Sequence, residues 1–234
     1  MRIDKLLSEM GIATRTESAK AARAGGITVD GVPVKRADIH IDPDKNAVTY
    51  LGQPVIYRRF TYIMLNKPEG YVSATDDPKE RTVLELLDDR HRRLGLFPCG
   101  RLDKNTLGLL ILTNDGGLTH RLLSPKHHVT KVYAFSAERI VTEEDRQRLE
   151  AGVTIDGELT RPAKVVLNDD RMSGKITLTE GRYHQIKRML EAVCNKCIAL
   201  ERIEFGGIPL DPALKRGEWR PLTAEEEALL TSHQ

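Results

Sequence analysis

The feature that most constrains the fold of this chain is a short apolar run at residues 108–112, Gly-Leu-Leu-Ile-Leu, between two turn signals. A segment of polar and small residues, 100–106, leads into it, and Asn114-Asp115-Gly116 ends it. An apolar run of this length between turns predicts a buried strand, since a helix needs about ten residues or more. Asp103 lies in the loop before this strand, where a rigid backbone can present side chains to a ligand.

Length, charge and cysteine content limit the classes of protein to consider. The 234 residues are enough for one large or two modest domains, each with its own core. With a formal net charge of +2, any acidic partner must be bound by local basic patches. No apolar stretch approaches the roughly 18 residues that span a bilayer, and the N-terminus does not resemble a signal peptide. Three cysteines indicate a reducing compartment, so we predict a cytoplasmic protein without membrane association.

Residues 1 to about 50 have the pattern of a small module. Apolar residues at helical spacing predict a first helix that ends at Gly11. Thr14-Arg15-Thr16-Glu17 has the form of a capping box and predicts a second helix, which ends at two glycines. The Asp30-Gly31 pair predicts a tight hairpin, and Pro33 places its second strand at a sheet edge. One more strand pair is expected within residues 42–59.

Basic side chains distributed over this module suggest a face for phosphate groups. They are Arg2, Lys5, Arg15, Lys20, Arg23, Lys35 and Arg36. The alternative interpretation is an ordinary solvated surface, because acidic residues are interspersed among them.

The remaining chain predicts a larger α+β domain. Strand patterns at residues 60–66 and 130–135 flank a helix expected at 117–123, and the second strand places Lys131 and Tyr133 on one face. A helix entered after Gly181 would bury Ile186, Met189 and Leu190, with Tyr183 on the same flank and Lys187 near its start. Strand pairs interrupted by helices, without a regular βα repeat, indicate a mixed but mainly antiparallel sheet.

Three side chains at predicted strand or helix ends form a chemically suggestive set: Asp103, Tyr133 and Lys187. A lysine close to Asp103 would keep the carboxylate ionised and oriented, and a tyrosine offers a stacking face or a proton acceptor. Basic residues that could bind phosphates nearby are Arg121, Lys126, His127, His128, Arg182 and Arg188. This inventory suits a site acting on a nucleotide inside a polynucleotide, although each residue could also belong to an ordinary surface ion pair.

The N-terminal module resembles a known RNA-binding domain. Its residues 2–7, 14–19 and 26–31 are similar in order and spacing to the alpha-L RNA-binding domain, named after a small-subunit ribosomal protein. The resemblance implies that two helices dock on structured RNA, reading shape more than sequence. The residues it identifies as RNA contacts are Arg2, Arg15, Lys20 and Arg23.

Three segments of the larger domain resemble the pseudouridine synthases of the RsuA and RluB group. They are residues 100–116, residues 131–133 and residues 180–189, in the expected order. The resemblance implies isomerisation of uridine to pseudouridine in ribosomal RNA without cofactor or metal. It divides the chain into an RNA-binding domain at 1–51, a linker at 52–59 and a catalytic domain at 60–234, and we expect a monomer.

The same resemblance assigns roles to individual residues. Asp103 would be the nucleophile, with direct attack and a glycal route both left open, and Tyr133 would stack on the flipped base and help to remove its C5 proton. Lys187 would pair with Asp103 at a position where the family often has Arg, and Arg101 would hold the nucleotide out of its helix. The remaining RNA-binding residues would be Lys126, His127, His128, Lys131, Arg182 and Arg188.

Residues 75–78 and 124–128 look most like the RsuA branch, which modifies one uridine of 16S rRNA, at uridine 516. Three alternatives stay open: a pseudouridine synthase acting on 23S rRNA, a non-catalytic rRNA-binding assembly factor and a glycoside hydrolase.

Other signals are interpreted as structural. Cys194 and Cys197 lack a second pair for a four-ligand zinc site and follow a helix, which favours buried structural thiols. Asp115 lies in a turn and is expected to organise the backbone there instead of acting as a second catalytic carboxylate.

Overall fold

The computed structural model describes residues 1–232 and contains two compact units. The first unit is formed by residues 1–61 together with 87–97, and the second by residues 62–86 and the chain from Pro98 onward. The linker at 52–59 stays a prediction, and no sequence signal indicated that residues 87–97 belong to the first unit.

The first unit has the elements expected of the N-terminal module. They are α1 (Ile3–Glu9), α2 (Arg15–Arg23), β1 (Ile27–Val29), β2 (Val32–Pro33), β3 (Val48–Tyr50) and β4 (Gln53–Val55), with sheet order β2-β1-β3-β4. Both hydrogen bonds of the predicted capping box are present between Thr14 and Glu17. Asp30 and Gly31 have φ angles of 51° and 81°, as the hairpin requires, and Pro33 lies on the edge strand.

The segment 87–97 contributes a short helix, α3 (Asp89–Arg92), which packs at the end of α1. Nε of Arg90 donates a hydrogen bond to the carbonyl oxygen of Met10 at 3.3 Å. Gly11 has a φ of +64°, and a Cβ there would lie 2.4 Å from the carbonyl oxygen of Arg90. Gly11 therefore ends the helix and also permits this close approach.

The second unit is built on one large sheet. Its strands and hairpin are β5 (Tyr62–Lys67), β7 (Leu107–Thr113), β8 (Lys131–Ala137), β9 (Thr154–Ile155), β10 (Glu158–Leu159), β11 (Lys164–Leu167), β12 (Ser173–Leu178), β13 (Cys197–Phe205), β14 (Ile208–Pro209) and β15 (Trp219–Pro221). The short strand β6 (Phe97–Pro98) lies where the chain returns to this unit, and its helices are α4 (Gly116–Leu123), α5 (Glu143–Ala151), α6 (Gln185–Ala192) and α7 (Ala224–Ser232). The sheet order is β11-β12-β8-β13-β7-β5-β15; of the neighbouring pairs in this order, β7–β13 is parallel and the others are antiparallel. The predicted α+β class with a mainly antiparallel mixed sheet is confirmed.

The apolar run that dominates the sequence forms the centre of this sheet. Leu109 to Leu112 are fully buried in β7, between β13 and β5. Gly108 has a φ of +96°, and a Cβ at this position would lie 2.3 Å from the carbonyl oxygen of Arg202 on β13. The glycine is therefore needed where these two strands approach each other, directly after the loop that carries Asp103.

The start of α6 corrects one sequence-based expectation. Tyr183 is 75% exposed and does not share the buried side of Ile186, Met189 and Leu190. His184 adopts a left-handed conformation, with a φ of 51°, so the chain turns before the helix begins at Gln185. Tyr183 therefore lies outside the helical phase from which its burial was inferred.

Candidate active site

A cavity of about 560 Å³ in the second unit contains most of the predicted catalytic residues. Its walls come from the loop before β7, from β8, from the turn before α6 and from β13. The site residues predicted from sequence that line it are Arg101, Asp103, Lys131, Tyr133 and Arg182. This volume is sufficient for a nucleotide-sized ligand.

The carboxylate of Asp103 has partners on both oxygens. Nζ of Lys187 lies 2.7 Å from Oδ2, and the hydroxyl of Thr106 lies 3.5 Å from the same oxygen. Nε2 of His184 lies 3.5 Å from Oδ1. The Asp103 side chain is only 26% exposed, so these contacts hold it in one orientation while one part remains open to the cavity.

A buried lysine holds the backbone of the Asp103 loop. Nζ of Lys67, at the end of β5, donates hydrogen bonds to the carbonyl oxygens of Asp103 at 3.0 Å, Lys104 at 3.2 Å and Thr106 at 2.9 Å. It also reaches the carbonyl oxygen of Pro68 at 3.1 Å. Lys67 is fully buried, and this burial lowers its pKa to about 8 although the negative charge of Asp103 favours the ammonium form.

The preceding residue of the loop is fixed by a serine. Oγ of Ser73 donates to the carbonyl oxygen of Leu102 at 2.9 Å, and the amide of Leu102 donates back to the same Oγ at 3.0 Å. Together with Lys67, Ser73 makes the loop a rigid support for Asp103.

Two predicted residues of β8 face the cavity in different environments. Tyr133 is half-buried, and its cross-strand neighbour on β13 is Arg202. Lys131 is only 8% exposed, donates to the carbonyl oxygen of Val129 at 2.9 Å and lies over the ring of Phe205. Burial, reinforced by the charge of Arg202, lowers the pKa of Lys131 to about 8. Lys131 is thus not the surface cation that the sequence suggested but a buried lysine at the wall of the cavity.

The turn before α6 is braced by its own side chains. Glu180 accepts hydrogen bonds from the side chain of Gln185 at 2.6 Å and from the amide of Arg161 at 3.0 Å. Arg182 is held by the carbonyl oxygen of Leu159 at 2.7 Å and by Glu180 at 3.4 Å, so its guanidinium is already engaged within the protein.

The other cations predicted to bind RNA differ in how free they are. Arg15, Lys20 and Arg23 are exposed on the first unit, whereas Arg2 is held by Asp4 through two hydrogen bonds. On the second unit, Lys126 and His127 are exposed, His128 contacts Arg161, and Arg188 pairs with Asp156. Arg101 is exposed at the cavity and forms no hydrogen bond or ion pair with the residues that the structure describes.

Of the residues interpreted as structural, Asp115 organises the backbone at its turn, whereas the expected burial of the two cysteines is wrong: Cys194 is exposed and Cys197 is only partly buried. Asp115 is buried, caps α4 by accepting from the amide of Leu118 at 2.9 Å, and accepts from the hydroxyl of Tyr62 at 2.8 Å. Burial raises the pKa of Cys197 to about 11, which favours the thiol over the thiolate. Within residues 1–232, no group of three or more His, Cys, Asp or Glu side chains is arranged to hold a metal ion, and none of the described helices could cross a membrane.

Sequence reasoning missed three residues of this site: Lys67, Ser73 and His184. Lys67 follows an apolar strand and precedes a proline, and a lysine in a buried strand was the available signal. His184 lay within a recognised motif but had no role assigned to it. Nothing in the sequence indicated Ser73, because its two bonds join segments 29 residues apart.

Two family models match this chain. Residues 61–192 match the family described as RNA pseudouridylate synthase, and residues 1–45 match the S4 domain.

Individual proteins are similar over nearly the whole length. The chain is 47% identical to an uncharacterized RNA pseudouridine synthase of Bacillus subtilis, YtzG, with 100% of both chains covered. It is 40% identical to ribosomal small subunit pseudouridine synthase A of Escherichia coli, covering 97% of this chain and 99% of the relative. A crystal structure of a pseudouridylate synthase superimposes with a TM-score of 0.70 at 36% identity, covering 98% of this chain and 99% of that one.

Proposed function

The chain belongs to the RNA pseudouridylate synthase family, and we propose that it converts one uridine of small-subunit (16S) ribosomal RNA into pseudouridine. Asp103 is the proposed nucleophile, and the proposed reaction uses no cofactor. The observation that supports this most directly is the ion pair of 2.7 Å between Asp103 and Lys187 at the wall of a nucleotide-sized cavity.

The proposed reaction begins with cleavage of the bond between C1′ of the ribose and N1 of uracil. Its electron pair leaves with the uracil ring, while Asp103 either bonds to C1′ or removes the 2′ proton to give a glycal. The base then turns and bonds to C1′ through C5. On the covalent route this bond displaces the Asp103 carboxylate from C1′, and on the glycal route Asp103 returns its proton to C2′. The C5 proton is then lost and N1 takes up a proton. Tyr133 stacks on the base and helps to remove the C5 proton, and Lys187 keeps the Asp103 carboxylate in place.

The nucleotide must leave its helix to enter the cavity, and Arg101 is the proposed residue that holds it out. Its guanidinium is exposed at the cavity and is not engaged by any described residue. An arginine without an internal partner can insert between bases or bind a phosphate without first breaking an ion pair.

Ribosomal RNA of the small subunit is proposed as the substrate because relatives at 40–42% identity are named ribosomal small subunit pseudouridine synthase A. The specific target proposed is the RsuA-type site, uridine 516. The S4 domain, with Arg15, Lys20 and Arg23 exposed, supports binding to structured RNA. We further propose that the protein is a cytoplasmic monomer, as expected from the sequence.

The test is Asp103→Asn, which keeps the size of the side chain and removes its charge. We expect pseudouridine formation to fall by about 10⁴-fold or more, as expected for loss of a nucleophile, while rRNA affinity stays within about twofold. Asp169→Asn is the matched control because Asp169 is exposed and does not line the cavity.

Carbodiimide primer extension on small- and large-subunit rRNA, from cells with and without the gene, identifies the target. Full activity of Asp103→Asn would exclude the proposed mechanism. A site found only in 23S rRNA would correct the substrate, and a wild-type protein that binds rRNA without modifying it would favour an assembly factor.

A further inference from the structure

Tyr183 is an exposed aromatic side chain at the rim of the cavity. It is 75% exposed, and among the large apolar side chains exposed within residues 1–232 it is the only aromatic one. Single exposed apolar residues are common on protein surfaces, so exposure by itself assigns no role.

One face of the Tyr183 ring is covered by His184. The two ring centroids are 3.8 Å apart and the planes differ by 19°, which is a stacked arrangement. Because Tyr183 is nevertheless three-quarters exposed, its other face is open to solvent. Nε2 of His184 lies 3.5 Å from Oδ1 of Asp103, so the stack extends from the proposed nucleophile to the surface.

The stack is held by a rigid turn. His184 has φ 51° and ψ 33°, a left-handed conformation that costs a non-glycine residue free energy and is found preferentially at functional sites. Gln185 ties the turn together, since its side-chain oxygen accepts from the amide of Arg182 at 2.9 Å and its nitrogen donates to Glu180 at 2.6 Å. Because the Tyr183 ring is already stacked on His184, it loses less conformational entropy than a freely rotating ring when a second ring stacks on it.

We propose that the open face of Tyr183 is a stacking site for the nucleobase next to the target uridine in the same RNA strand. The inference rests on the proposed function. Extrusion of the target into the cavity leaves its neighbouring base without one stacking partner, and aromatic side chains at the rim of RNA sites commonly replace such a partner. The target base itself occupies the cavity beside Tyr133, so the base that meets Tyr183 at the rim is a neighbour.

The experiment compares Tyr183→Ala with Tyr183→Phe on a small-subunit rRNA fragment that carries the target uridine. Stacking acts on the bound ground state and the transition state alike, so Tyr183→Ala should weaken equilibrium binding about tenfold and leave the saturating single-turnover rate within about twofold. Tyr183→Phe keeps the ring and should retain wild-type affinity. Val166→Ala is the control because Val166 is exposed on β11, away from the cavity.

A second arm removes the base instead of the side chain. Abasic nucleotides are placed on the 5′ side and on the 3′ side of the target in separate fragments, and both enzymes are titrated with each. At one of the two positions the penalty of Tyr183→Ala should disappear, because a missing ring and a missing base remove the same interaction.

An unchanged penalty with both abasic fragments, or wild-type affinity of Tyr183→Ala, would overturn the stacking site. Equal loss of affinity in Tyr183→Phe and Tyr183→Ala would also overturn it, because the phenol hydroxyl would then carry the effect. Binding is measured separately from turnover. A wild-type protein that forms no pseudouridine would refute the proposed function, whereas the affinities alone decide the stacking site.

Discussion

Among single residues, Lys67 connects the core of the sheet to the proposed chemistry. A charged side chain in a fully buried strand costs free energy unless it is saturated with partners, and here the partners are the carbonyl oxygens of the Asp103 loop. The ammonium group of Lys67 therefore fixes the backbone that carries the Asp103 carboxylate. Lys67 acts through Asp103 as a positioning residue and does not itself line the cavity.

We predict that Lys67→Met lowers the free energy of unfolding by about 2 kcal/mol at pH 7, because buried carbonyl oxygens lose their donor. The difference in the free energy of unfolding between wild type and Lys67→Met should grow as the pH rises. The folded-state pKa of about 8 lies below the ordinary value of 10.5. Between these values the native protein has released a proton that the unfolded chain retains, so stability rises with pH in the wild type and not in the variant.

Urea denaturation at intervals from pH 7 to pH 10.5 measures this difference. Lys175→Met is the control, because Lys175 is exposed on β12 and its removal should produce no such pH dependence. If the difference in unfolding free energy between wild type and Lys67→Met stayed constant or decreased above pH 8, the assigned environment of Lys67 would be wrong.

At the scale of secondary-structure elements, the parallel pairing of β7 with β13 positions the site. The pairing is in register at Gly108 and Arg202, and Nε of Arg202 donates to the carbonyl oxygen of Leu109 at 2.7 Å. The loop with Asp103 enters β7 next to this contact, while β13 also pairs with β8, which carries Tyr133. Two strands far apart in sequence thus set the separation of the catalytic residues.

We predict that Gly108→Ala destabilises the protein by about 3 kcal/mol or more and abolishes pseudouridine formation. The added Cβ would meet the carbonyl oxygen of Arg202 at 2.3 Å, so the two strands must separate. Gly157→Ala is the matched control, since Gly157 has a similar φ of +79° but nothing within 4 Å of its Cβ position. Gly157→Ala should lower the free energy of unfolding only by the cost of placing a side chain at positive φ, about 1 kcal/mol. If urea denaturation showed that both variants lose the same free energy of unfolding, close approach of the strands would not be the reason for glycine at 108.

For the whole molecule, the expected division of labour is between an RNA-binding unit and a catalytic unit. The S4 match falls within the first unit and the synthase match almost entirely within the second, although residues 87–97 belong structurally to the first. Among the predicted RNA contacts of the first unit, Arg15, Lys20 and Arg23 are exposed on α2, whereas Arg2 is held by Asp4. Substitutions on α2 should therefore change the affinity for rRNA without changing the rate of pseudouridine formation.

We predict that reversing the charge of Arg15, Lys20 and Arg23 to Glu weakens rRNA binding by about 10²-fold and lowers the salt dependence of affinity by roughly one unit of log-log slope per lost phosphate contact. The saturating single-turnover rate should stay within about threefold, because none of these side chains lines the cavity.

Filter binding at several salt concentrations, combined with single-turnover assays, tests this separation. The control reverses three exposed charges of the second unit: Lys164, Arg171 and Lys175. Unchanged salt dependence in the α2 variant, or an equal effect in the control, would refute a specific RNA face on α2.

Local signals in the sequence were sufficient for most elements and for the identity of the main catalytic candidates. The apolar run of β7, the Thr14 capping box and the Asp30-Gly31 hairpin each depend on neighbours within a few residues, so the sequence alone predicted them. Asp103 and Lys187 were also recognisable, because each lies in a motif that can be read along the chain.

Only the tertiary structure decided how these residues are supported and what surrounds them. Lys67 meets carbonyl oxygens 36 to 39 residues away, and Lys187 meets a carboxylate 84 residues away. The burial of Lys131, the exposure of Tyr183 and the contact of His184 with Asp103 follow from packing and from one left-handed residue. The physical reason is that a local pattern determines the conformation of a segment, whereas the charge environment and exposure of a side chain depend on segments that only folding brings together.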